Sequence, residues 1–258
     1  MLDYIDAISS ESARFNELSR ATDPAAPVPS CPGWSASDLF WHLTEVQYFW
    51  ATIVEDLLMD PDAVDHLTRP DDFQLPNVFE FQSRRLQHTL RQRNATDECW
   101  SWHDAGNNVG WVRRRQVHEA LIHRVDAELA AGHLPIVDEA LAADGVDEVL
   151  AVYLDAGDLP GWATFLPDGS SVRIAIDGGR SWSVVLGRFR GTSPNSGKSY
   201  DEPALRLEDV AQPSTLVAGR ASDLDLWLWG RGPLDPLRVS GDKTAVARVR
   251  AAAAAATQ

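Results

Sequence analysis

Cysteine is scarce in this chain: of 258 residues, only Cys31 and Cys99 carry a thiol. That excludes a disulfide-rich framework and a four-cysteine zinc module. Long apolar runs are missing too. No stretch approaches the roughly 18–20 uninterrupted apolar residues of a membrane span. Hydrophobic residues nevertheless make up 44 % of the chain, ample for a buried core. Basic residues are in short supply, with 23 Lys and Arg against 38 Asp and Glu and a formal net charge of −15. Such a chain repels nucleic acid and anionic lipid, so neither is an expected partner. The opening residues, MLDYIDAISSESARFNEL, place acids where a signal peptide needs lysines. The expectation is a soluble cytoplasmic protein.

The length suits two domains of about 100–150 residues each. The first half reads helical. Over residues 3–20, Ile5, Ile8, Phe15 and Leu18 recur at three- and four-residue spacing, the pattern of an amphipathic helix. TDPAAPVPSCPGW follows, and its four prolines end that helix. Ser35 and Asp38 form a capping box that opens a second helix running to about Met59, with His42 between Leu39 and Val46 on its apolar stripe. A polar loop covers residues 60–76. A third helix is expected over 78–93 and a fourth over 109–131, ended by Gly132. Four helices with moderate connections predict a bundle. The ten tryptophans are read as interior packing.

Composition shifts after residue 133. Residues 136–153 predict one more helix. From Gly161 the period moves towards two, with β-prone runs at 162–166, 172–176 and 182–186 separated by PDGS and DGGR, which both contain the Asp-Gly turn dipeptide. Residues 190–202 read as a polar loop, and a strand is expected near 204–207. A capped helix is expected over 222–229, and a frayed one from Lys243 through the six alanines.

The segment Arg113–Glu128, RRRQVHEALIHRVDAE, gathers His118, Glu119, His123 and Asp126. At ~100° per residue, Glu119 and His123 sit ~40° apart on one helix face, whereas His118 diverges from His123 by ~140°. Glu119 and His123 could therefore share a metal, and Asp126 lies on the same face. His42 is the best third candidate, because a lone imidazole on an apolar stripe needs a partner. Two histidines and a carboxylate suit Zn²⁺ or another first-row divalent ion with a coordination position left open. On spacing alone, a histidine placed like His42 is more often a core or rim residue than a ligand, and a pair like Glu119 with His123 more often a solvated helix pair. The Arg113–Arg115 run reads as a solvated helix start that sits poorly with the helix dipole. Cys31 reads as packing under a helix start.

Two stretches together, PSCPGWSASDLFWHL (29–43) and WVRRRQVHEALIHRVDAELAAG (111–132), resemble the mycothiol-dependent maleylpyruvate isomerase family. TLVAGRASDLDLWLWGR (215–231) is similar to that family's second domain. The resemblance implies an α plus α+β chain. A metal-binding, DinB-like four-helix bundle would cover 1–135, a helical linker 136–160, and a small α+β, sterol-carrier-protein-like C-terminal domain 161–258. It implies a divalent metal, usually zinc, on His42, Glu119 and His123; Asp126, on the same face about one turn beyond His123, is expected to orient an imidazole or pair with an arginine rather than to bind the metal. It also implies a catalytic arginine, for which Arg231 is the nearest match and Arg238 the rival.

The cosubstrate implied is mycothiol, whose sulfur would occupy the open metal position as a thiolate and add to a small electrophile. With maleylpyruvate this would give cis-trans isomerisation. Displacement of a leaving group would instead make the protein a mycothiol S-transferase, and a non-catalytic metal or small-ligand binding module is the reading from outside enzymology.

Overall fold

The computed structural model describes residues 2–103, 106–157 and 159–257. The chain divides into two compact units, Met1–Pro135 and Ile136–Gln258. Among the described residues of the first unit, four α-helices follow one another: α1 (Tyr4–Ala21), α2 (Ala36–Asp56), α3 (Leu75–Gln92) and α4 (Val109–Ala130). Three start on a side-chain cap. Asp3 accepts from the N–H groups of Ile5 and Asp6, Ser35 and Asp38 close a reciprocal box, and Asn108 accepts from Trp111. Such a cap stabilises by about 1 kcal/mol. α3 begins three residues earlier than the pattern suggests, because Pro76 suits a first helical turn. α2 stops short of Met59, where Leu57 adopts a left-handed φ of 50°.

Phe15 of α1, Phe40 of α2 and Phe79 of α3 meet with ring centroids 5.2–5.5 Å apart. Full burial of a side chain such as Phe15 or Phe79 contributes about 2 kcal/mol. Trp50 packs 5.7 Å from both Trp100 and Trp111. The arginine run corrects the sequence reading. Arg113 Nη2 donates to the carbonyls of Leu90 and Arg93, both at 2.7 Å, and so serves the C-terminal end of α3. Arg115 is buried. These two positions are not a solvated helix start; their charges are matched by groups on α3 and within α4.

The second unit opens with α5 (Glu139–Glu148), which continues as one π-helical turn over Val149–Leu154. The segment read as a helical linker thus lies inside this unit. Then come β1 (Ala163–Ile176), β2 (Ser181–Thr192), β3 (Ser199–Leu207), β4 (Thr215–Gly219), α6 (Ala221–Trp229), β5 (Arg238–Ser240) and α7 (Lys243–Thr257). The sheet order is β3-β2-β1-β4-β5, with β1 and β4 parallel and the other neighbours antiparallel.

Two expectations fail here. PDGS does not separate two strands; it is a bulge inside β1, where the register with β2 shifts between Pro167 and Ser171 and Gly169 takes φ 88°. Residues 190–202 are not one loop. β2 runs to Thr192 and β3 starts at Ser199, so Thr192 faces Ser199 across a short turn. α7 buries Ala245, Val246, Val249 and Ala253 on one face, which holds the alanine-rich end helical. No helix among the described residues is long and apolar enough to cross a membrane. A four-helix unit followed by an α+β unit is the fold class that the patterning predicts.

Candidate metal centre

α2 brings His42, and α4 brings Glu119 and His123, to one place in the first unit. One ligand atom from each lies within 4.8 Å of the others. The two imidazoles converge on a single oxygen: Glu119 Oε1 lies 3.1 Å from His123 Nε2 and 3.5 Å from His42 Nε2. The histidine rings meet edge to face at 4.8 Å between centroids. His123 is 9 % exposed and His42 35 %, so the cluster opens towards solvent on the His42 side. His118, five positions before His123, is buried and outside this cluster.

Each inner ligand is held from behind. Arg115 Nη2 donates to Glu119 Oε2 at 2.8 Å, one helical turn back along α4. His123 Nδ1 lies 3.0 Å from Asp126 Oδ2, and Asp126 is fully buried. A carboxylate can only accept, so Nδ1 carries a proton towards Asp126 and, when no metal is bound, Nε2 donates to Glu119 Oε1; a metal held there would take the place of that second proton. Asp126 is anchored in turn: Ser30 Oγ donates to Oδ1 at 2.5 Å, and the Cys31 thiol points at Oδ2 from 3.6 Å. Ser30 and Cys31 belong to the Ser-Cys-Pro-Gly-Trp turn. There Trp34 N–H donates to the Cys31 carbonyl at 3.0 Å, and Gly33 adopts φ 88°. The same turn sets Trp34 against His42, 4.9 Å between ring centroids. Cys31 therefore does more than pack under a helix start; its thiol faces the carboxylate that orients His123.

Burial opposes charge on both inner groups and is outweighed. Hydrogen bonds from His123 and His42, together with the charges of His123 and Arg115, hold the Glu119 carboxyl well below the usual carboxylate range. Asp126 and Glu119 push the His123 imidazole up to about 9 against the same burial. Two nitrogen donors and one carboxylate oxygen, with Glu119 Oε2 and His123 Nδ1 held by Arg115 and Asp126, match the donor set of a three-ligand divalent site.

Of the groups holding the ligands, the sequence reading reached Asp126 and passed over Arg115, Ser30 and Trp34. Arg115 was accessible, since it precedes Glu119 by four on a helix and such pairs face each other. Ser30 lies 96 residues from Asp126, and nothing local announces that pairing. Arg231 stands in the second unit, with Nη1 donating to the Trp229 carbonyl at 2.6 Å. Arg238 is exposed and forms a two-pronged pair with Asp177, its Nη1 at 3.0 Å from Oδ2.

The model of the mycothiol maleylpyruvate isomerase N-terminal domain matches residues 5–128, and that of the family's C-terminal domain matches residues 140–248. The chain belongs to this family. Members of the mycothiol maleylpyruvate isomerase family have been crystallised. The structure of the mycothiol-dependent maleylpyruvate isomerase superposes with a TM-score of 0.58 at 14 % identity, covering 93 % of each chain. A histidine-to-alanine mutant of that isomerase gives 0.59 at 13 % identity over the same share of each chain. At that identity the likeness carries the fold. No curated protein sequence matches the chain.

Proposed function

We propose that this protein is a metal-dependent enzyme that uses mycothiol to act on a small electrophile, with cis-trans isomerisation of a maleylpyruvate-like enone acid as the reaction. The observation that carries the reading is the convergence of His42 and His123 on one oxygen of Glu119, in a chain of this family. A divalent metal held there, zinc being the best fit to the donors, favours the thiolate of a small thiol over its neutral form. His42, Glu119 and His123 bind it. Arg115 keeps Glu119 Oε2 occupied so that Oε1 faces the histidines, and Asp126 keeps the His123 proton on Nδ1. The solvent-facing His42 side is where thiol and substrate enter.

Sulfur adding to an enone forms a C–S bond and places the electron pair on the substrate as an enolate. The former double bond then rotates, and elimination breaks the C–S bond and leaves the trans alkene. Arg231 is the proposed cation for a substrate carboxylate or for that developing charge. The test is metal analysis of the purified chain together with a mycothiol-dependent assay on maleylpyruvate. Metal at about one ion per chain and turnover that requires both metal and thiol support the reading. Turnover by S-conjugation without isomerisation would make the protein a transferase, and metal without thiol-dependent turnover would leave a binding module.

A further inference from the structure

The cluster of His42, Glu119 and His123 opens towards solvent on the His42 side, and α2 continues that face. At ~100° and ~1.5 Å per residue, Glu45 and Phe49 stand ~60° and ~20° round the helix from His42, ~4.5 and ~10 Å further along it. Both line a cavity of about 370 Å³ whose other wall is the loop of residues 61–67. That volume falls within the range of small-molecule sites, about 300–1,000 Å³. Every lining residue belongs to the first unit.

The lining has two characters. Phe49 gives a flat apolar face, held edge to face by Trp50 and Trp100 at 5.3 and 5.8 Å between centroids. Glu45, Asp62 and Asp65 give carboxylates, with the Tyr48 and His66 side chains among them. Among the described residues, none donates a hydrogen bond to the carboxylate oxygens of these three acids. Asp38 and Asp126, by contrast, have theirs taken by Arg69, Ser35 and Ser30. Carboxylates only accept, so three of them facing one cavity call for a ligand rich in donors. Charge decides between an amine and a hydroxyl. Burial pushes the Glu45 carboxyl up, and the charges of His42, His66 and Arg69 act against that. Cations already stand round Glu45, so a further ammonium gains little there and a neutral donor is favoured. An anionic ligand would meet three like charges and is disfavoured.

We propose that this cavity binds the neutral, hydroxyl-rich body of the thiol cosubstrate, with Glu45, Asp62 and Asp65 accepting from its hydroxyls and Phe49 meeting the C–H face of a sugar or cyclitol ring. Mycothiol carries such a body: its N-acetylcysteine is joined to a glucosaminyl-inositol. With that body seated about one to two turns along α2, the sulfur is free to reach the open side of His42. The cavity then selects among thiols, retaining one with hydroxyls and turning away one with free carboxylates. Only the identification of the ligand as the thiol cosubstrate rests on the function proposed above; recognition of a neutral polyol needs neither metal nor sulfur.

The experiment is calorimetric titration of the full chain with N-acetylglucosaminyl-inositol, the body without its cysteine, on metal-loaded and chelator-treated protein. Wild type is expected to bind it in both forms. Glu45 is half-buried on α2, where alanine preserves the helix. Glu45→Ala should weaken binding about tenfold or more, the scale of losing a hydrogen bond to a charged group, with metal content unchanged. In thiol-dependent turnover it should raise the KM for mycothiol by a similar factor and leave that for N-acetylcysteine, which has no polyol, unchanged. No binding by wild type, equal affinity in Glu45→Ala, or equal rises in KM for both thiols overturns the proposal. Should Glu45→Ala not fold, wild-type affinity in the double variant Asp62→Asn, Asp65→Asn overturns it. A chain that holds no metal and still loses polyol binding on Glu45→Ala would refute the metal-dependent function while supporting this site.

Discussion

Arg115 and Glu119 are joined at 2.8 Å inside α4, with the guanidinium 3 % exposed and the carboxylate 17 %. The pair fixes which oxygen of Glu119 faces the histidines. Arg115→Met should leave Oε2 unpaired and let the carboxylate turn, so metal affinity should fall by about 10–100-fold, the usual loss when a ligand's outer partner goes. The metal-free protein should lose about 3 kcal/mol, the lower end for breaking a buried pair. Arg115→Lys should recover part of both. Chelator competition and denaturant titration read the two effects separately. A Met variant with wild-type metal affinity would show that Glu119 needs no such anchor.

His123→Ala should remove most of the bound metal, since two remaining ligands hold zinc poorly. His118→Ala should keep the metal, because that side chain stands outside the cluster, although losing a buried ring there costs stability. Metal analysis of the two purified variants separates site from scaffold. Full occupancy in His123→Ala would sink the three-ligand assignment.

Asp126→Asn should keep the fold and loosen the centre. An amide can still meet His123, but it can offer its NH₂ group and so favour the wrong tautomer. Metal affinity is expected to fall by about 10–100-fold. Ser30→Ala should do the same more weakly, because it removes one of the hydrogen bonds to Asp126. If both variants titrate with metal as wild type does, the chain from Ser30 through Asp126 to His123 is purely structural.

Cys99 and Cys31 should differ sharply towards alkylating reagents. Cys99 is fully buried, and burial followed by the nearby Asp97 charge pushes its thiol up to about 11. The shift is upward, so the reactive thiolate is withheld until the pH approaches that value. At pH 8 only about one Cys99 in a thousand is ionised. Peptide mapping after iodoacetamide treatment should find Cys31, which is partly exposed, modified first, and Cys99 modified only on unfolding.

What the sequence discloses and what it hides follow from how far apart the interacting groups lie. α1, α2 and α4 are legible because period and caps are local. Glu119, His123 and Asp126 are legible as one face because a helix turns by a fixed angle. The bulge at Asp168–Gly169 was not, since an Asp-Gly step supplies the positive φ that both a turn and a bulge need. The extension of β2 and β3 past Arg190 was masked by polar side chains on exposed strand ends, where backbone pairing leaves no hydrophobic alternation to read. The Ser30–Asp126 bond and the approach of Arg250 to Gly230 are long-range and leave no local mark.

Arg231 supplies the last prediction. Its bond to the Trp229 carbonyl gives it a structural task, so loss of activity alone would not make it catalytic. The two tasks separate by variant. Arg231→Lys keeps the charge and can still reach a carbonyl, but it loses the planar fork. If Arg231 meets substrate, Lys and Ala should both retain metal and melt within a few degrees of wild type, while thiol-dependent turnover falls by about 100-fold or more in Ala, the scale of losing one oxyanion-type donor. If it serves only the helix end, Ala should lower the melting temperature and leave turnover per folded molecule unchanged. Arg238→Ala is the control, because that side chain is exposed and engaged with Asp177. A large loss of turnover in Arg238→Ala, with none in Arg231→Ala, would move the catalytic cation to Arg238.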